Sequence, residues 1–221
     1  MRITVVAATG GIGRCLVDQA LAAGHEVTAV VRDPSKVSME VRTVRVDLSD
    51  ADPSDLEKAV DGADAVLSGL GPRNAKLAGI TSAGTRSILA AMRATGARRL
   101  SVVSAAPVST TPSPDRPTPP RHDPGEGVIM RNVLTPLVRR AFYEHYLDLA
   151  VMEDLLRGSG LDWTSVRPPR LTDKPLTGHY RTAIDQNLRG GAFIPRADVA
   201  HFMLASITDR ATFGQSIGIA T

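Results

Sequence analysis

The sequence predicts an α/β fold with a doubly wound parallel sheet between two layers of helices. Three observations support this prediction. Short β-branched runs alternate with stretches of helical periodicity through residues 1–104, a pattern typical of βαβ units. These runs are rich in Val, Ile and Ala, as expected for a parallel sheet that is buried on both faces. A glycine-rich turn joins the first strand run to the first helical stretch.

The strands are predicted where β-branched and apolar residues cluster between turn residues, because such side chains pack well on a pleated surface. Five strands precede a proline-rich segment and two follow it. The predicted strands are Arg2–Ala7, Glu26–Val31, Arg42–Val46, Ala65–Ser68, Arg99–Ser104, Trp163–Arg167 and Ser216–Ile219.

The helices are predicted from apolar periodicity together with residues that typically begin or end a helix. Gly24 and Gly96 are typical residues after a helix C-terminus. Asp52 is a candidate N-cap, with Pro53 in the first turn behind it. The predicted helices are Ile12–Ala23, Pro53–Val60, Thr81–Thr95, Thr135–Arg157 and Ala197–Ser206.

A proline-rich segment interrupts this alternation. Prolines recur with Ser, Thr and Asp between Pro107 and Pro124, a composition that sustains neither a helix nor a central strand. We therefore predict a long surface loop at about residues 107–127. It follows the fifth strand, so we expect it on the rim where ligands bind in such sheets. Since neither a linker nor a repeat is evident, residues 1–221 are predicted to form one domain.

Composition argues against several classes of partner. The net charge of +3 is small for 221 residues, and the doublets Arg98–Arg99 and Arg139–Arg140 are attributed to solvated faces, so we expect no nucleic acid. No apolar run approaches the roughly 20 residues of a membrane span, and no signal peptide is evident. Cys15 is the single cysteine, which rules out an intramolecular disulfide. We expect a cytoplasmic protein without a membrane partner.

The glycine-rich turn carries the strongest functional indication. Between a buried strand and a helix, small residues let the backbone approach a diphosphate, and the first amides of the helix face its charge. The turn therefore predicts a Rossmann-type site for a nicotinamide dinucleotide, although a tight turn without a ligand is the alternative. The candidate cofactor-binding residues are Ala7, Thr9, Gly10, Gly11, Ile12 and Gly13.

The end of the second strand bears on the choice of cofactor. An acidic residue at this position would bind the ribose hydroxyls of NAD, but the chain has Arg32, followed by Lys36. An arginine fork matches phosphate oxygens, so NADP(H) is favoured over NAD(H). The neighbouring Asp33 could instead bind the ribose hydroxyls of NAD(H), so NAD(H) is still an alternative cofactor. The alternative without a ligand is a surface ion pair between Arg32 and Asp33.

Three further strand ends are expected on the same rim. Asp47 and Leu48 follow the third strand and are candidates for flanking the adenine. Ser104, at the end of the fifth strand, is expected to donate a hydrogen bond near the reacting ring. Ordinary turn chemistry is the alternative for each of them. The residues after the fourth strand complete this group of candidates: Gly69, Leu70, Gly71 and Arg73.

Three stretches resemble the atypical short-chain dehydrogenases/reductases, in particular the NAD(P)H-binding group of flavin reductase (biliverdin-IXβ reductase) and the NmrA-like proteins. They are Ala8–Gly13 with Gly24–Arg32, Ser159–Pro169, and Asp173–Tyr180 with Arg196–Leu204. The resemblance implies NADP extended across the sheet and a substrate pocket over the nicotinamide. Pro168, Pro169 and Arg170 are further candidates for cofactor binding.

Two departures from that family are evident. Ala7 replaces the usual first glycine, which is expected to crowd the turn slightly. The Tyr-x-x-x-Lys pair of ordinary members of the superfamily is missing, so no tyrosine has the lysine that would lower its pKa for proton donation. The residues four positions after Tyr143, Tyr146 and Tyr180 are Leu147, Ala150 and Ile184.

The missing pair favours an acceptor that needs mainly hydride, such as a flavin, a quinone or a linear tetrapyrrole, since water can supply the proton. Ser104 is the first candidate for a polar contact at the reacting centre. Arg73, Tyr143 and Arg170 are weaker ones. No metal is expected, because the five histidines lack ligand spacing.

Two other functions stay open. The first is an NmrA-like sensor that binds NADP(H) without turnover, and the second, disfavoured, is a nucleotide-sugar epimerase or dehydratase. For the reductase, the expected partner is a small-molecule acceptor, and the protein is expected to be a monomer or a small homo-oligomer.

Overall fold

The computed structural model describes residues 1–48, 53–71, 79–127 and 142–221, and it contains a central eight-stranded sheet. The strand order in this sheet is β3-β2-β1-β4-β5-β6-β10-β8, and all neighbours pair in parallel except β10 and β8. A separate two-stranded sheet joins β7 to β9. The strands are β1 (Arg2–Val6), β2 (Glu26–Val31), β3 (Arg42–Arg45), β4 (Ala65–Ser68), β5 (Arg99–Val103), β6 (Asp162–Arg167), β7 (Arg170–Thr172), β8 (Arg181–Ile184), β9 (Phe193–Pro195) and β10 (Gln215–Ala220).

Helices cover both faces of the sheet. They are α1 (Gly11–Ala22), α2 (Pro53–Val60), α3 (Ile80–Thr95), α4 (Tyr143–Arg157) and α5 (Arg196–Ala205). Helices α1 and α5 pack together over one apolar cluster, which includes Leu16 and Met203. Helices α2, α3 and α4 bury a second cluster on the opposite face, which includes Leu56 and Met92. The three-layer, doubly wound Rossmann arrangement predicted from the sequence is confirmed.

Strands β7, β8 and β9 were not predicted from the sequence. They are three or four residues long, and β8 is mostly exposed, so neither an apolar run nor clear alternation marks them. Helix α4, Tyr143–Arg157, corresponds to the later part of the predicted helix Thr135–Arg157 and ends at the same residue. Residues 135–141 lie outside the described residues.

The prediction of a surface loop after β5 is wrong for its first part. Residues Ala106–Thr110 form a 3₁₀ turn packed against α4, with Val108 and Thr110 buried. Farther along, Asp123 is buried, and its carboxylate accepts hydrogen bonds from the backbone amides of Gly125 and Asn187. Proline content predicted the irregular backbone, but it carried no information about this tertiary packing.

The assignment of the arginine doublet to a solvated face is wrong for Arg99. Arg98 is exposed, whereas the Arg99 side chain is buried and donates to the backbone oxygens of Ser206 and Ile207. Desolvation lowers the pKa of Arg99 to about 10. Arg139 and Arg140 lie outside the described residues. None of the described helices combines the length and apolarity needed to cross a membrane.

Candidate active site

A cleft of about 740 Å³ lies at the carboxyl ends of the first five strands. Strand order reverses between β1 and β4, because the chain proceeds from β1 outward to β3 and then returns to β4. In open α/β sheets this reversal separates neighbouring loops and creates a crevice for ligands. The position of the cleft therefore follows from the topology of the sheet.

The glycine turn is held in a compact form by its own backbone. The amide of Gly10 donates to the carbonyl oxygen of Ala7 at 2.8 Å, and Ala7 takes a left-handed conformation with φ of 58°. A Cβ atom on Gly13 would lie only 2.1 Å from that same carbonyl oxygen. Gly13 is thus required by the close approach of α1 to the turn.

The start of α1 has the properties of an anion-binding site. Gly10 is the N-cap residue, no side chain caps the helix, and its first turn contains no acidic residue. The first amides of a helix lack partners within it and carry partial positive charge. Thr9, Gly10, Gly11 and Ile12 line the cleft, so these amides lie beside it. This arrangement fits the diphosphate of a dinucleotide.

The cations predicted after β2 line the cleft, but they differ in their contacts. Lys36 forms an ion pair of 3.2 Å with Asp33, whose carboxylate also accepts hydrogen bonds from the amide and hydroxyl of Ser35. The bonds from Ser35 and Lys36 hold the pKa of Asp33 below its usual value. Arg32 is exposed and has no ion pair or hydrogen bond with any residue in the described ranges. The carboxylate of Asp33 is therefore already bound by Ser35 and Lys36, whereas the guanidinium of Arg32 can bind a ligand.

The ends of β3 and β4 complete one wall of the cleft. Asp47, Leu48, Gly69, Leu70 and Gly71 all line it, as the sequence predicted. A Cβ atom on Gly69 would lie 3.1 Å from the amide nitrogen of Gly13, so the absence of a side chain lets β4 end directly against α1.

Ser104 also lines the cleft, but its hydroxyl donates to Oε1 of Glu153 at 2.9 Å. A hydroxyl has one proton and two lone pairs, so Ser104 in this state can accept a hydrogen bond from a ligand rather than donate one. The predicted donor role requires its hydroxyl to leave Glu153.

Several predicted residues are placed elsewhere. Tyr143 is exposed at the start of α4 and is not part of the cleft lining, and neither are Pro168 and Pro169. The guanidinium of Arg170 lies 5.7 Å from the centre of the Phe193 ring, also outside the lining. Gly13 is not part of the lining either, because it packs against the carbonyl oxygen of Ala7. Arg73 lies outside the described residues.

Sequence reasoning missed some residues that complete the cleft. They come from distant elements and include Ile80, His145, Leu149, Leu171 and Arg196. Desolvation lowers the pKa of His145, against an opposing effect of Asp148. Its Nδ1 atom is buried without a hydrogen-bond partner among the residues of the described ranges. The sequence predicted the helix that contains His145 and Leu149, but it did not distinguish the face of that helix that meets the cleft.

Comparison with solved structures supports the same fold. A candidate NADH-flavin reductase from Streptococcus pneumoniae TIGR4 is 26% identical, with a TM-score of 0.75 over 100% of this chain and 99% of that one. A short-chain dehydrogenase/reductase from Veillonella parvula DSM 2008, in complex with NADP, is 21% identical, with a TM-score of 0.75 over 100% and 94% of the two chains. The oxidoreductase ylbE from Lactococcus lactis is 19% identical, with a TM-score of 0.80 over 100% and 91%.

Family membership rests on a match along most of the chain. The model of an NAD(P)H-binding family matches residues 7–210, from the glycine turn to a point beyond α5. This range includes every strand end that lines the cleft, and it agrees with the resemblance found in the sequence. The chain belongs to this NAD(P)H-binding family of Rossmann-fold proteins.

Proposed function

We propose that the protein is an NAD(P)H-dependent reductase, which uses NADP(H) in preference to NAD(H) to reduce a conjugated acceptor such as a flavin, a quinone or a tetrapyrrole. The proposal depends most on one observation, the uncapped N-terminus of α1 beside a cleft at the switch point of the sheet. When bound, the dinucleotide supplies hydride. The protein binds it, orients the acceptor and excludes competing reactions.

Arg32 supports the preference for NADP(H). Its guanidinium lies at the end of β2, where the ribose of the adenosine half binds in dinucleotide sites, and it has no charged partner among the residues described. The carboxylate of Asp33 would bind the ribose hydroxyls of NAD(H), but Ser35 and Lys36 already bind it. Recognition of a 2′-phosphate by Arg32 is the arrangement most consistent with these contacts.

The tyrosines support the choice of a conjugated acceptor. Tyr146 is buried in the apolar core, and burial raises its pKa. The hydroxyl of Tyr180 is hydrogen-bonded to Nδ1 of His201, and its pKa is also raised by burial. A raised pKa leaves the phenol without the activation that an adjacent lysine gives in ordinary members of the superfamily. A flavin or quinone that gains a hydride needs one further proton, which water can supply.

The structural relative from Streptococcus pneumoniae adds support, since it is itself a candidate NADH-flavin reductase. The proposal includes a cytoplasmic location, a small-molecule acceptor as the partner and a monomeric or small homo-oligomeric state, all of which stay predictions.

Turnover tests this proposal directly. Purified protein is mixed with NADPH and, separately, with FMN, riboflavin or a simple quinone, and the loss of nicotinamide absorbance is followed. We expect oxidation of NADPH that depends on both protein and acceptor. Tight NADPH binding without oxidation by any acceptor would overturn the reductase and favour an NmrA-like sensor.

The role of Ser104 is tested by Ser104→Ala, with Ser101→Ala as the matched control. Ser101 lies within β5, the strand that Ser104 directly follows, and it is fully buried and is not part of the cleft lining. If Ser104 contacts the cofactor or the acceptor, turnover falls by about 10-fold, the effect of a lost hydrogen bond of about 1.4 kcal/mol. Equal turnover in the two variants would remove Ser104 from the site.

A further inference from the structure

Arg196 lies across the first turn of α1. It is the first residue of α5, the helix that packs against α1 on the same face of the sheet. Its Cδ and Nε atoms lie 2.7 and 2.8 Å from the point where a Cβ atom of Gly11 would be. Arg196 also lines the cleft. A side chain at position 11 would therefore displace this arginine from its place beside the helix amides.

Within the described part of the chain, the guanidinium of Arg196 is bound by the exposed carboxylate of Asp173. Nη1 binds Oδ1 of Asp173 at 2.5 Å, and the side chain of Asp173 is 90% exposed. Exposed ion pairs contribute little stability because water screens their attraction. Exchanging Asp173 for another anion therefore costs the protein little.

We infer that Arg196 binds the diphosphate of the dinucleotide, releasing Asp173 to do so. The proposal rests on the proposed function, since it requires the dinucleotide to lie against α1. The amides of α1 would contact one side of the diphosphate, and the planar guanidinium, with donors spaced for phosphate oxygens, would contact the other. Asp173 keeps the guanidinium next to Gly11 until a stronger anion replaces it.

This role differs from the role assigned to Arg32. NAD(H) and NADP(H) share the diphosphate and differ only in the 2′-phosphate. Arg196 is therefore expected to strengthen binding of both cofactors equally, whereas Arg32 discriminates between them.

The test measures dissociation constants of NADPH and NADH for the wild type, Arg196→Gln and Asp173→Asn by calorimetry. We expect Arg196→Gln to weaken both cofactors by the same factor, about 10-fold or more, as for a lost charge-assisted hydrogen bond. Asp173→Asn removes the competing anion and should tighten both by about 2- to 5-fold, the range of an exposed pair. Arg196→Lys retains charge but not the fork, and should recover part of the loss.

Arg98→Gln is the matched control. Arg98 also pairs with a partly exposed carboxylate, that of Asp162, but it precedes β5 at the opposite end of the strands. We expect its cofactor affinities to equal those of the wild type. Thermal melting of each variant verifies that it is folded.

Two fragments separate the phosphates. ADP-ribose contains the diphosphate but no 2′-phosphate, and 2′-AMP contains the 2′-phosphate but no diphosphate. Arg196→Gln should weaken ADP-ribose and leave 2′-AMP unchanged.

Unchanged binding of NADPH, NADH and ADP-ribose by folded Arg196→Gln would overturn the proposal. So would equal weakening of 2′-AMP, which indicates a general effect of charge, or weaker cofactor binding by Asp173→Asn. Wild-type protein that binds neither cofactor would instead contradict the proposed function itself.

Discussion

Arg167 and Glu153 form a buried ion pair that joins the end of β6 to the middle of α4. Nε of Arg167 donates to Oε1 of Glu153 at 2.9 Å, and Nη2 donates to Oε2 at 2.5 Å. The hydroxyls of Ser104 and Ser165 donate to the same Oε1, each at 2.9 Å. Because Ser104 lines the cleft, this network connects the cleft to the helix behind it.

Removing one partner of this pair should destabilise the fold severely. Glu153→Leu leaves the Arg167 guanidinium buried without its counter-ion, and we expect the free energy of unfolding to fall by about 3 to 5 kcal/mol. Urea denaturation measures the change, with Glu144→Gln, an exposed site on the same helix, as the control. The double variant Glu153→Leu, Arg167→Met should recover part of the loss. A single variant as stable as the wild type would show that water reaches the pair.

The same carboxylate should make stability depend on acid pH. Desolvation pushes the pKa of Glu153 upward, but the hydrogen bonds and charge of Arg167, with the hydroxyl donors, outweigh it and hold the pKa below its ordinary value. The folded pKa is thus below the unfolded one. The stabilisation is complete above the unfolded pKa, about 4.3 for glutamate, and is lost as pH falls through the folded value.

Denaturation between about pH 3 and pH 7 measures this effect as the difference between wild type and Glu153→Gln, whose amide does not titrate. The difference should shrink toward acid pH. A difference that is constant over this range would contradict the lowered pKa.

His145 should have a separate effect near neutral pH. Burial lowers its pKa below the ordinary value, so the unfolded chain takes up a proton that the folded protein does not. Stability is therefore full above the unfolded pKa of about 6.5 and decreases as pH falls through it. His145→Gln should remove this dependence, whereas His122→Gln, at an exposed position, should keep it. Identical pH profiles for the two variants would exclude His145 as the source.

Arg32 should determine cofactor selectivity. Arg32→Glu is expected to weaken NADPH by about 1 to 3 kcal/mol while sparing NADH, since only NADPH has the 2′-phosphate. Arg45→Glu, at the exposed end of the neighbouring strand and outside the cleft lining, makes the same change of charge. Calorimetry with both cofactors gives the comparison. Equal weakening of NADPH and NADH by Arg32→Glu would contradict recognition of the 2′-phosphate.

Ala7 provides a test of backbone strain in the turn. A left-handed conformation costs a residue with a Cβ atom about 1 to 2 kcal/mol relative to glycine, partly offset by the greater entropy of glycine in the unfolded chain. We expect Ala7→Gly to raise the free energy of unfolding by up to about 1 kcal/mol. Ala8→Gly, at a buried neighbour whose φ is not positive, should lower it. Thermal melting distinguishes these outcomes, and a loss of stability in Ala7→Gly would contradict the assignment.

Local sequence was enough to predict those features whose pattern lies within one helix, strand or turn. The β-branched and apolar residues of β1, β2, β4, β5 and β6 and the glycine turn before α1 predicted both the doubly wound sheet and its ligand-binding edge. The strand-end residues Arg32, Asp47 and Gly69 were predicted in the cleft for the same reason, since parallel strands bring their carboxyl ends to one edge.

Contacts between distant segments were decided only by tertiary structure. The sequence by itself predicted helices that begin at Ile12 and Ala197, directly after Gly11 and Arg196, but packing of α5 on α1 brings these two residues together. It likewise identified Ser104 as a strand-end hydroxyl, whereas its bond to Glu153 exists because α4 lies against the sheet. The physical reason is that periodicity and turn chemistry act over a few neighbouring residues, while buried charge pairs and packed side chains depend on which elements become adjacent in space.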